Sequence, residues 1–247
     1  MPTSSTPSII GTTVFEAEEL RFKLPDGVTI AAKAWGPEDA EERIIAVHGF
    51  LDNAATFDRL IPLLLSQSTR NLNLNMRIVA IDLSGHGKSS HRVAQYSYDT
   101  SWIIEIITVA DALGWDRFGL IGHSMGAGIS LIVAGAVPKR LEFLVMLDSA
   151  GPVALEPDQV PRGMEKALSD RLRLLARQPR TYKTLDDAVS RMLQSDAKLS
   201  LEAARLLVER STEKIAPAGI QFSHDPRLFG RGFVVLTEEV VLAYIKR

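Results

Sequence analysis

Apolar and polar positions change rhythm along the chain, and the changes lay out its elements. Residues 13–23 alternate as a half-buried strand does, Asp26-Gly27 offers a turn, and residues 28–35 read as the returning strand of a hairpin. Four short unbroken apolar runs follow: RIIAV at 43–47, RIVAI at 77–81, RFGLI at 117–121 and LEFLVML at 141–147. Between them lie segments of helical spacing. Residues 57–65 form one. A second follows Asp99-Thr100-Ser101, which can cap it, and runs to about Leu113, where Gly114 stops it. A third, rich in small residues, spans 125–137 and ends at Pro138. Short apolar strands alternating with helices predict an α/β fold, a mostly parallel sheet with helices on both faces.

The alternation stops near residue 150. Residues 162–210 are expected to be helical throughout, with Ser200 capping one helix, and a helical insertion over one edge of the sheet is the simplest account. Residues 237–247 (TEEVVLAYIKR) predict a last helix, acidic at its start and basic at its end as the helix dipole prefers. The expected organisation is a loose tail (1–12), an α/β core (13–150), a helical cap (151–235) and a helix returning to the core (236–247).

Composition narrows the function. A chain of 247 residues can bury a large core, and 46% hydrophobic with 23% charged residues excludes disorder for its bulk. A net charge of −2 leaves no basic excess for nucleic acid or a polybasic membrane anchor. No apolar run approaches a membrane span. With no cysteine there are no disulfides or thiolate sites, which allows a reducing compartment. The polar N-terminus lacks the pattern of a secretory signal, so a cytoplasmic location is expected; a peroxisomal one stays open if an address lies beyond Arg247.

One motif carries chemistry. Gly122-His123-Ser124-Met125-Gly126 fits G-x-S-x-G and sits between a buried strand and a helix, the context of a nucleophile elbow. With 17 glycines in the chain, chance would supply roughly 0.1 such matches, so the placement carries more weight than the pattern. The turn lifts the serine hydroxyl above the sheet at a helix N-terminus, where developing negative charge is favoured. His48-Gly49-Phe50 follows the RIIAV strand directly. The backbone N–H groups of Phe50 and Met125 are then the candidate oxyanion donors. His48, Asn53 and His224 are candidate pocket residues, although a structural role is preferred for His48. His123 is expected to point away from the nucleophile, Phe57 is weighed between pocket floor and plain core, and Asp82 is expected to shape the turn before His86. No phosphate-cradling glycine loop and no metal-ligand spacing occurs, so no cofactor and no metal is expected.

The HGFLDNAATFDRLIPLL, IDLSGHGKSS, GHSMG and LVMLDSAGP stretches occur in the order seen in α/β-hydrolases, and LDNAATFDRLIPLL with the later SHDPRL resembles the serine hydrolase-like proteins of that superfamily. The resemblance runs from about residue 17 to the end. It implies the α/β-hydrolase fold, a helical cap after the sixth strand and Ser124 as nucleophile. Its triad order is serine, acid, histidine. Asp148, closing the LEFLVML strand, is the acid candidate, weighed against a role as a turn cap. The family's histidine lies in a loop after the last strand, and this sequence reaches Arg247 before any such strand. His224 is the one histidine after Ser124, and a cap or pocket role suits it better than that of a base. The expectation is a chain lacking the family's last strands, with LEFLVML left as an edge.

The function expected is hydrolysis of a small acyl or ester substrate through Ser124, reduced or absent without its histidine. The alternative is a non-catalytic relative that binds a small apolar ligand or a protein partner. Epoxide or haloalkane hydrolysis requires an aspartate nucleophile, and Ser124 argues against it.

Overall fold

The computed structural model describes residues 16–71, 75–93, 96, 101–175, 180–217, 219–229 and 236–247. The N-terminal tail, residues 13–15 of the first strand and the capping candidates Asp99 and Thr100 lie outside these residues. The core elements are β1 (Glu18–Lys23), β2 (Thr29–Trp35), β3 (Glu42–Val47), α1 (Leu60–Asn71), β4 (Met76–Ile81), α2 (Ser101–Ala112), β5 (Phe118–His123), α3 (Met125–Ala136) and β6 (Leu141–Leu147). They build a six-stranded sheet of order β1-β2-β4-β3-β5-β6. β1 pairs antiparallel with β2, and β2 with β4; the remaining neighbours run parallel. The sheet is thus mixed, with the parallel part carrying the site.

Alternation along β3 and β4 sorts the core into two layers. Ile45, Val47, Val79 and Ile81 join Ile106 and Val109 of α2 and Ile129 and Val133 of α3. Ile44, Ala46, Ile78 and Ala80 turn to the other face and meet Phe57 and α1 through Ile61 and Leu65. These side chains are at most 4% exposed, and each large one contributes about 1.5–3 kcal/mol by leaving water. Gly114 ends α2 in the left-handed region at φ 69°, as its position after the periodic residues predicts. The helix expected from residue 57 starts later. Phe57 closes a short 3₁₀ turn (Ala54–Phe57) that the Asn53 side chain caps through the Ala55 N–H, and α1 begins at Leu60. Pro62 fits in its first turn, where no N–H is needed.

The second half departs further from expectation. Residues 162–210 are not helical throughout. α4 (Val160–Leu175), α5 (Leu185–Ser195) and α6 (Leu201–Arg210) are separated, and a three-stranded antiparallel sheet accompanies them: β7 (Thr181–Tyr182), β8 (Thr212–Ile215) and β9 (Gly219–Phe222), in the order β7-β9-β8. Strands of two to four residues leave no periodicity to read. Of two caps in this segment, Ser200 was legible and Thr184 was not. Thr184 forms a reciprocal capping box with Asp187, and Ser200 accepts the Ala203 N–H at 3.2 Å. This segment overlies the loops that leave the carboxyl ends of β3 and β4: Asn53 Nδ2 donates to the Leu207 carbonyl at 2.9 Å, and Arg210 reaches Asp82.

α7 (Glu238–Ile245) packs against α3, where a β-carbon at Gly135 would lie 2.6 Å from the Tyr244 ring. β6 pairs with β5 alone among the described residues and forms one margin of the sheet, with Phe143, Val145 and Met146 exposed. No helix among the described residues is long and apolar enough to cross a membrane.

Candidate active site

The turn between β5 and α3 is as sharp as the motif predicts. Ser124 adopts φ 50°, ψ −114°, a conformation that L-residues rarely hold and that surrounding structure must enforce. Its N–H donates to the Leu147 carbonyl at 2.9 Å. Its hydroxyl does not cap α3 and makes no hydrogen bond among the described residues. The flanking glycines are steric necessities. A β-carbon at Gly122 would fall 2.5 Å from Ala127 Cα, and one at Gly126 would fall 2.2 Å from the Val47 carbonyl oxygen and 2.6 Å from that of His48. The second approach seats the start of α3 directly on the end of β3, so the Met125 amide and the loop bearing Phe50 share one neighbourhood. Neither the Phe50 nor the Met125 N–H has a hydrogen-bond acceptor among the described residues.

Other candidates fall elsewhere. His48 is fully buried: Nδ1 bonds the Gly49 carbonyl at 2.7 Å, and Nε2 accepts the Leu83 N–H at 3.0 Å. Burial lowers its pKa, against the pull of Asp82. Asn53 is also fully buried, tied to Ala55 and Leu207. Neither is among the lining residues of the cavity described below, and backbone groups take up their polar atoms, the structural role preferred for His48. Asp148 closes β6 in the left-handed region at φ 67°, exposed and hydrogen-bonded to no histidine among the described residues. No imidazole there is hydrogen-bonded to Ser124 either.

His123 lines a cavity, its Nδ1 3.6 Å from Asp52 Oδ2. The Asp52 carboxylate raises its pKa, burial opposes this, and Asp148 adds to it. Gly49 fits beneath the pair, since a β-carbon there would meet His123 Nδ1 at 3.1 Å and Asp52 Oδ2 at 3.2 Å.

Asp82 does more than shape a turn. Fully buried, it accepts from the Ala54 N–H (2.7 Å), the Lys88 N–H (2.9 Å) and Arg210 Nε (3.0 Å), joining two core loops to α6. Arg210 also meets Glu19 at 2.7 Å. No pattern along the chain singles out Arg210, a basic residue at a helix end. The SHDPRL segment likewise clamps onto the loop after β4: Asp225 N–H donates to Gly85 (2.9 Å), Ser223 Oγ to Gly87 (2.7 Å), and Tyr96 OH to Asp225 Oδ2 (2.8 Å).

That clamp presents His224 to a cavity of about 820 Å³ between the overlying segment and residues 50–59. Phe50, Leu51, Asp52 and His123 form its core side, placing it beside the elbow, although Ser124 is not itself a lining residue. His224 stacks on Phe222 with centroids 5.4 Å apart, and burial with help from His91 pushes its pKa down to about 4.

The chain fits the family model described as alpha/beta hydrolase fold over residues 42–209. A serine hydrolase-like protein of Dictyostelium discoideum is 36% identical over 231 residues, 91% of this chain and 62% of that protein. The crystal structure of a hypothetical protein from Pseudomonas aeruginosa PAO1 superposes with TM-score 0.83 at 38% identity, covering 93% of this chain and 77% of the other. A thioesterase domain from the curacin biosynthetic pathway superposes with TM-score 0.75 at 26% identity, covering 93% of this chain and 78% of the other. The chain belongs to the α/β-hydrolase fold family, and the Dictyostelium, Danio rerio and human proteins it resembles are serine hydrolase-like proteins. It spans 62–65% of the length of the Dictyostelium, Danio rerio and one of the human relatives.

Proposed function

We propose that the protein hydrolyses acyl esters through Ser124. The observation carrying this is the elbow: a serine at φ 50° at the head of α3 whose hydroxyl, like the Phe50 and Met125 amides, has no hydrogen-bond partner among the described residues. Ser124 Oγ attacks the substrate carbonyl carbon. The carbonyl oxygen becomes an oxyanion that accepts from the Phe50 and Met125 N–H groups. The Ser124 hydroxyl proton, given up to water on attack, passes back to the departing alkoxide; collapse thus expels the alcohol and leaves an acyl-serine, which water hydrolyses to the acid and free Ser124. Acyl chemistry is also the chemistry named for the curacin thioesterase. Asp148, at the end of the strand beside β5, is the carboxylate this reading assigns to orient a base. The overlying segment serves as the cap, and its cavity receives the acyl group.

With no imidazole bonded to Ser124 among the described residues, turnover by this chain is expected to be slow. Triad enzymes stripped of a member retain roughly 10³–10⁴-fold catalysis over water. A fluorophosphonate probe tests the nucleophile. The expected result is slow covalent labelling of the folded chain that Ser124→Ala abolishes. Labelling that survives the substitution, or none at all over a day, overturns the reading.

A further inference from the structure

The cavity has one continuous aromatic wall. Phe50 meets Phe229 edge-on at 6.1 Å, Phe229 meets His224 at 5.3 Å, His224 stacks on Phe222 at 5.4 Å, and Phe222 meets Tyr182 at 5.6 Å. The row starts on the loop carrying the candidate oxyanion amide and ends in β7. His224, with its pKa near 4, is neutral at physiological pH, so the wall carries no charge. Met192, Leu199 and Leu207 also line the space. A chamber of this size and lining suits a flexible hydrocarbon body.

Its charged lining residues are unevenly matched. Asp52 faces His123, and Asp196 accepts the Lys198 N–H at 2.9 Å. Arg59 pairs with Glu202 at 3.2 Å. Arg180 and Arg191 line the same cavity, and neither has an acidic partner among the described residues. Arg180 stands two residues before Tyr182, where the aromatic row ends, and Arg191 belongs to α5, which contacts β7. Both guanidiniums are exposed, so they keep their hydration until a ligand arrives. An apolar passage from the elbow toward two unpaired guanidiniums is complementary to one kind of molecule.

We propose that the site takes acyl esters carrying an anionic group, a carboxylate or a phosphate, at the end of the acyl chain remote from the ester carbonyl. The inference rests on Ser124 marking the carbonyl end, but the selectivity is a binding property and is measurable without turnover. Guanidinium forks bind both oxyanions in two-point fashion. Two exposed charge pairs together favour the anionic ligand by about fivefold to tenfold at low salt.

The test is equilibrium binding of monomethyl sebacate, dimethyl sebacate and an ω-phosphorylated methyl decanoate to the full chain and to Ser124→Ala. Both anionic esters should bind about fivefold to tenfold tighter than the diester, with the margin shrinking as salt rises. Preference for one anion alone identifies which source the site is built for. In Arg180→Gln/Arg191→Gln the margin should vanish, both anionic esters falling to the affinity that the same variant shows for the diester; Arg180→Lys/Arg191→Lys should keep part of it. Circular dichroism checks that these exposed substitutions leave the fold intact. Equal binding of all three esters, a margin that survives the double glutamine variant, or no saturable binding of either anionic ester overturns the proposal. A margin found in a chain that fluorophosphonate does not label retains the anion site and rejects the nucleophile.

Discussion

Gly126 decides whether the elbow exists. Its missing side chain lets α3 begin against the Val47 and His48 carbonyls, and a methyl group there would sit 2.2 Å from one oxygen. Backbone cannot yield as a flexible side chain does. Gly126→Ala is therefore expected to cost about 1–3 kcal/mol or more by urea unfolding, and to slow fluorophosphonate labelling by separating the two amides. This much was legible in the sequence, because the G-x-S-x-G spacing encodes a local steric requirement. The strained serine, its two glycines and the Phe50 loop follow from a dozen residues read in order. His123 was not legible. Its direction depends on Asp52, whose approach is a tertiary fact.

At the scale of elements, the overlying segment is held to the core by several polar groups, and Asp82 is central among them. Its carboxylate is fully buried, and Arg210 of α6 balances its charge with a side chain only 4% exposed. Arg210→Met would leave that charge without its guanidinium. The expected loss is about 3–5 kcal/mol of stability, read by thermal unfolding; the double variant Asp82→Asn/Arg210→Met should recover part of it. A loss under 1 kcal/mol would show that the Ala54 and Lys88 amides suffice. The parallel strands were legible because each is an unbroken apolar run closed by a polar residue. The small sheet of the overlying segment was not. β7, β8 and β9 are too short to show alternation, and the residues that join them lie far apart along the chain.

For the molecule as a whole, three buried or half-buried histidines set a common response to acid. Burial depresses the pKa of His48 and His86, and takes that of His224 to about 4 with His91 assisting and Asp225 opposing. Unfolded, each would take up a proton near pH 6.5. The stability they contribute is thus complete above that pH and lost as pH falls toward the folded values. His123, raised by Asp52, and Glu105 and Asp58, raised by burial, act in the opposite sense as they protonate. The histidines are expected to prevail between pH 6.5 and 5, so the melting temperature should fall across that window. His224→Gln should remove about 1 kcal/mol of the loss at pH 5, after discounting for its partial exposure. A profile identical to that of the unsubstituted chain would contradict this assignment.

The bond from the Ser124 amide to the Leu147 carbonyl joins the most strained residue of the elbow to the last residue of β6, the strand at the open margin of the sheet. Fraying there reaches the reactive turn through this bond and through the β5–β6 ladder, which pairs His123 with Leu147. Whatever stiffens that border, even far from the chamber, tunes the serine like a peg on a string.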